Sequence, residues 1–131
     1  MKSRTVTAVF PAPKKRVFDY MSDIDNLPRW ATEFAREMKV VDGRHVVVNG
    51  LGEFVFRIES DADTGVVDMY AGPDEESMGV FPTRVVELPG GATAYSFTMF
   101  QAPDMPDELF DSQYDSLRRE FENLEREFAT G

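Results

Sequence analysis

The sequence predicts an α+β fold: an antiparallel sheet of about seven short strands packed on one long C-terminal helix, with two short helices after the first strand. Three observations predict it. Residues 104–128 carry Phe110, Tyr114, Leu117, Phe121, Leu124 and Phe128 at alternating steps of four and three, which puts six large apolar side chains on one helix face. The stretch between residues 35 and 101 alternates with period two instead, the spacing of strands with one buried face. Those strands are separated by short runs rich in Gly, Pro and Asp, and tight turns favour antiparallel pairing.

Each element follows from the chain in order. Arg4–Phe10 alternates, with Val6, Ala8 and Phe10 on one side, and Pro11-Ala-Pro13 stops it because proline cannot donate to a ladder. Lys14–Met21 has helical spacing. Asp23 or Asp25 can cap a second short helix that contains Leu27 and ends near Trp30 or Ala31, with Pro28 tolerated in its first turn. Glu37–Asp42 and His45–Asn49 form a hairpin turned at Asp42-Gly43. Gly52–Ser60 follows, with Phe54, Phe56 and Ile58 on one face. Asp61–Gly65 is a turn, and Val66–Ala71 a further strand. Met78–Leu88 is strand-like but contains Pro82, which implies an edge position or a bulge. Ala92–Gln101 closes the sheet, with Tyr95, Phe97 and Met99 on one face. The final helix is expected to start at Asp104, whose carboxylate can accept from the free amides of the first turn, and to run to Phe128. A stripe spaced at 3.5 residues also suits a coiled-coil seam. The strands need a partner for their own apolar faces, so an intramolecular sheet is the better match.

Composition narrows the function. A chain of 131 residues suggests one domain spanning residues 1–131, and 42% hydrophobic residues with eleven Phe suffice for its core. A net charge of -10 repels phosphate backbones and anionic head groups, so nucleic acid and charge-driven membrane binding are not expected. There is no Cys, hence no disulfide or thiol chemistry. No apolar run approaches the roughly 18 residues of a membrane span. The start of the chain lacks a signal-peptide core. Stable membrane insertion is therefore not expected, and a cytoplasmic location is.

The candidate chemical groups are few. His45 is the sole histidine, next to a hairpin turn and without a nucleophile or second ligand, so no metal site or catalytic pair is read there. Asp61-x-Asp63-x-Gly65 has its glycine one position early for a calcium loop and lacks the closing Glu. Gly90-Gly91 opens a strand, not a helix, and is no phosphate loop. No cofactor is implied. Trp30 is either core or the lining of a pocket entrance. Arg84 shares parity with Val86 and Leu88 and points inward on that count; a shift at Pro82 points it outward. Inward, it needs an anionic partner from protein or ligand. Tyr20, Tyr70, Tyr95 and Tyr114 are possible hydroxyl donors.

The order of elements resembles the START-like (SRPBCC) superfamily, and within it the polyketide cyclase/dehydrase family. The residues that carry the resemblance are Val9-Phe-Pro-Ala-Pro13, Val17-Phe18, Asp23, Pro28-x-Trp30, Phe97-Thr-Met-Phe100 and Phe110-x-x-Gln113-x-x-x-Leu117. The resemblance implies a helix-grip fold, in which a curved sheet wraps the C-terminal helix and an apolar cavity lies between them. It implies binding of lipids, polyketides or other hydrophobic molecules, with a minority of members acting as cyclases or aromatases. It assigns no catalytic residue here.

The resulting expectation is a binder of a small hydrophobic molecule, as a monomer or homodimer. Its cavity, of roughly 300–1,000 Å³, is expected between Phe54, Phe56, Tyr95, Phe97, Tyr114, Leu117 and Phe121, with Trp30 as a further wall. A tyrosine or Arg84 would orient a polar end. Leu124 and Phe128 anchor the helix in this reading, while Phe110, Tyr114, Leu117 and Phe121 face the cavity. The rivals are a cyclase or dehydratase and an interaction protein with a filled cavity.

Overall fold

The computed structural model describes residues 1–130. The strands are β1 (Ser3–Phe10), β2 (Glu37–Val41), β3 (Arg44–Asn49), β4 (Gly52–Asp61), β5 (Val66–Gly72), β6 (Gly79–Glu87) and β7 (Thr93–Phe100). The helices are α1 (Lys14–Ser22), α2 (Leu27–Trp30) and α3 (Asp107–Glu127), with a 3-10 turn at Ile24–Asn26. The strands form one antiparallel sheet in the order β1-β7-β6-β5-β4-β3-β2. It curves around α3, with α1 and α2 following β1, as the helix-grip expectation required.

Register assigns the faces. Ile58, Met69 and Phe81 are cross-strand partners, as are Val67, Thr83, Phe97 and Val6 in turn. Every one of these lies on the concave face, which α3 covers. The β2–β3 hairpin turns at Asp42 (φ 53) and Gly43 (φ 78), the two left-handed positions that a two-residue hairpin needs. Asp61 closes the β4–β5 turn by accepting from the Asp63 amide at 3.1 Å, so the acidic run there serves as an Asx turn.

Two local expectations are corrected. β6 is neither an edge strand nor bulged: it pairs with β5 and β7 in continuous register. Pro82 fits because its pairing with β7 begins only at Thr83, so no ladder bond on that side is lost. The closing helix starts at Asp107, not Asp104. Pro106 is its first cap, in an extended conformation (φ -61, ψ 147), and its carbonyl accepts from the Phe110 amide at 3.1 Å. The helical region is disfavoured for a residue before proline, and Pro106 itself is extended, so the turn containing Asp104 stays outside the helix.

The core runs down the concave face. At one end, the rings of Phe10 and Phe128 lie 4.9 Å apart, with Tyr20 edge-on to Phe128 at 5.3 Å. Further along, Tyr95 stacks on Phe121 at 5.7 Å. Arg4 of β1 places its guanidinium 4.6 Å from the Tyr114 ring centroid and pairs with Asp111 at 2.8 Å. α3 therefore lies towards the β1–β7 end of the sheet, leaving its other flank over β4, β5 and β6.

Candidate functional site

A cavity of about 440 Å³ fills the space on that other flank. Its floor is one inward side chain after another across the sheet: Phe56, Met69, Phe81, Phe97 and Met99. Leu27 and Trp30 close one end, and Leu109 and Leu117 of α3 form the roof. The exposed Leu51 and Arg36 stand at the side, with the Asn49–Leu51 turn and the Glu33–Arg36 segment as the remaining boundary. Alternation puts the floor residues on one face, and the helical one-turn repeat aligns Leu109, Gln113, Ser116 and Glu120 on one side of α3.

Four of the sequence candidates meet at this cavity: Trp30, Phe56, Phe97 and Leu117. Trp30 is both core and wall. It is edge-on to Phe97 at 6.2 Å and to Phe121 at 6.4 Å. The other five do not line it. Phe54 is half-buried beside the cluster. Phe121 is buried against Tyr95, and Tyr114 lies beneath Arg4. Tyr95 is fully buried among apolar groups, which pushes its hydroxyl pKa well up. That hydroxyl lacks a hydrogen-bond partner among the described residues; the nearby Thr83 hydroxyl donates to the Val67 carbonyl at 2.6 Å. Arg84 is on the outer face, paired with Asp68 at 2.7 Å. Its parity partner Val86 is 51% exposed, so the outward alternative holds, and it holds without a shift at Pro82 because this whole parity faces outward. Among Phe110, Tyr114, Leu117 and Phe121, only Leu117 turns to the cavity, because the helix is rolled towards β1.

Sequence reasoning missed the polar side of the site. Glu120 is 3% exposed yet lines the cavity. Its Oε2 accepts from the backbone amides of Glu33 at 3.1 Å and Phe34 at 3.0 Å. Burial raises its pKa to about 7, the two amides opposing. Glu33 in turn accepts from Arg119 at 2.8 and 2.7 Å and from Ser116 at 3.1 Å. The Arg119 guanidinium holds the Glu33 carboxyl below its usual range. Asn123 donates to the Trp30 carbonyl at 2.9 Å, and Asn49 donates to the Phe34 carbonyl at 2.7 Å from the opposite side. Ser116, Arg119, Glu120 and Asn123 thus form a second stripe on α3 that fixes the Trp30–Phe34 segment. A signal existed. Glu120 lies three residues after Leu117 and four before Leu124, inside the apolar stripe, where a charge is out of place.

Neither a protein-family model nor a curated protein matches the chain. Solved structures do. The protein XoxI from Bacillus cereus is 13% identical with a TM-score of 0.75, covering 98% of this chain and 96% of that one. A START superfamily protein from Mycobacterium smegmatis is 14% identical with a TM-score of 0.69, covering 97% of each. The di-domain ARO/CYC BexL from the BE-7585A biosynthetic pathway is 14% identical with a TM-score of 0.70, covering 96% of this chain and 46% of that one. At these identities the likeness is one of fold alone, the helix grip.

Proposed function

We propose that the protein binds a small hydrophobic molecule, a lipid, polyketide or similar compound, in the cavity between sheet and α3. The observation that supports this is the cavity itself. Its volume of about 440 Å³ lies within the usual ligand-pocket range of roughly 300–1,000 Å³. Its floor is five apolar side chains from four successive strands, and its polar lining comes from α3, the Glu33–Arg36 segment and the Asn49–Leu51 turn. Burial of apolar ligand surface supplies the affinity, at about 25 cal/mol per Å² before the costs of association. The START superfamily and ARO/CYC neighbours support the same reading through their fold. An interior of this kind speaks against a filled cavity and a purely protein-binding role.

The test is native mass spectrometry of freshly purified protein, then displacement of an apolar fluorescent probe. The expected result is either a co-purified small molecule or saturable probe binding that Met69→Phe weakens. An apo mass together with no saturable binding would sink the reading.

One observation favours a second reading, a cyclase or dehydratase. Glu120 is a cavity carboxyl with a pKa near 7, the property of a general acid or base at neutral pH. Turnover of a cyclisable polyketide analogue that Glu120→Gln abolishes would select this reading over simple binding; the same turnover in both proteins would exclude Glu120 from it.

A further inference from the structure

The two oxygens of Glu120 do different work. Oε2 takes both backbone amides of the Glu33–Phe34 segment. Oε1 has no hydrogen-bond partner among the described residues, and it is not among the side-chain atoms sealed from the surface. Glu120 is a wall of the cavity, so the carboxyl presents one committed oxygen to the protein and one open acceptor to the cavity. Arg119 favours the charge on Glu120 and Glu33 disfavours it, and neither hydrogen-bonds Oε1. Arg119 is held by Glu33 through two hydrogen bonds, and Arg36 is exposed at the boundary. The rest of the wall within the cavity is mainly apolar.

We propose that the cavity takes amphiphilic ligands whose buried polar end is a hydrogen-bond donor, a hydroxyl or an amine, accepted by Glu120 Oε1, and that it rejects ligands ending in a carboxylate. This deepens the binding reading above and rests on it. A donor satisfies an acceptor that otherwise lies against apolar ligand atoms, and charge-assisted hydrogen bonds are the stronger kind. A ligand carboxylate placed at the same point brings two like charges together in a poorly solvated space.

The experiment compares naphthalenemethanol, naphthoic acid and methylnaphthalene at mildly alkaline pH, where Glu120 is ionised, against wild type and Glu120→Gln. The three probes share one ring system and differ only in the polar end. In the Gln variant the amide oxygen can accept from the two backbone amides, which turns the NH₂ group to the cavity. Glu120→Gln therefore keeps the loop contact and converts the open acceptor to a donor. The expected result is that wild type prefers the alcohol to the acid by roughly tenfold or more, the factor of one hydrogen bond to a charged group. The variant loses that preference or reverses it, each affinity being taken relative to that protein's own affinity for methylnaphthalene. Binding of all three probes with the same ranking in both proteins overturns the proposal and leaves the binding reading standing. Failure of all three, methylnaphthalene included, overturns the binding reading as well. Unfolding curves of the two proteins at the same pH show that any difference is not loss of fold.

Discussion

The ring of Phe121 is stacked on Tyr95 on one side and met edge-on by Trp30 on the other, at 5.7 and 6.4 Å. Nothing beside it can collapse easily into the space it fills. Phe121→Ala is expected to cost about 3–5 kcal/mol in denaturant unfolding; a loss below about 1 kcal/mol would show that the ring is not held there. Glu120, one residue earlier, acts through its proton. Its folded pKa is about 7 against an ordinary 4.5. Between these values the folded chain binds the extra proton, so stability falls as pH rises through that window, by on the order of 3 kcal/mol in full. The depressed carboxyls of Glu33 and Asp107 work in the opposite sense and only at lower pH. Glu120→Gln should flatten the profile between about pH 5 and pH 7 and be the more stable protein above it. Urea unfolding across that range checks this, and equal slopes in both proteins would contradict it. Arg84 gives the complementary case. It was readable as a polar guide for a ligand only while its face was ambiguous. On the outer face with Asp68, Arg84→Ala should leave probe affinity unchanged and stability within about 1 kcal/mol.

At the scale of elements, most of the chain was legible because period two and period 3.6 are local signals. The strands, the Asp42-Gly43 turn and the α3 stripe all follow from spacing. What was not legible depended on neighbours. The edge-like Pro82 sits in an interior strand because one ladder happens to stop beside it. The start of α3 moved because Pro106 constrains Met105 more strongly than Asp104 attracts the first-turn amides. Asp104→Ala should accordingly cost less than the roughly 1 kcal/mol of a lost helix cap. Gly65, by contrast, is irreplaceable in the β4–β5 turn. It has φ +77, and a Cβ there would lie 2.1 Å from the Val85 carbonyl oxygen. That carbonyl belongs to β6, which cannot move without its ladder. Gly65→Ala should cost more than the roughly 1–2 kcal/mol of a left-handed alanine alone, read as a lowered unfolding midpoint.

At the scale of the molecule, local spacing says which side chains face inward but not how a helix rolls on a curved sheet. The roll is set by Arg4, Phe110 and Tyr114 packing together at the β1 side. It turned Tyr114 and Phe121 away from the cavity and brought in Ser112 and Gln113, which no apolar pattern marks, and Glu120, marked only as a charge inside the stripe. Strand parity puts Phe56 and Phe97 on the face of the floor, but Phe54 and Tyr95 share that parity without lining the cavity, so parity alone does not settle it. A cavity is a failure of close packing, so its test is the energetic response to added volume. Met69 is a suitable place: it is buried on β5, in the middle of the floor, with Ile58 and Phe81 as cross-strand partners. In a solid interior, the larger ring of Met69→Phe would force neighbours off their rotamers and cost about 1–3 kcal/mol. Above an open space of about 440 Å³ the ring has room to enter. Unfolding stability should then change by less than about 1 kcal/mol, while affinity for an apolar probe falls several-fold because the ring occupies its place. The two readouts must separate in this way. A stability loss in the overpacking range would instead mean that the floor and the roof of α3 already touch.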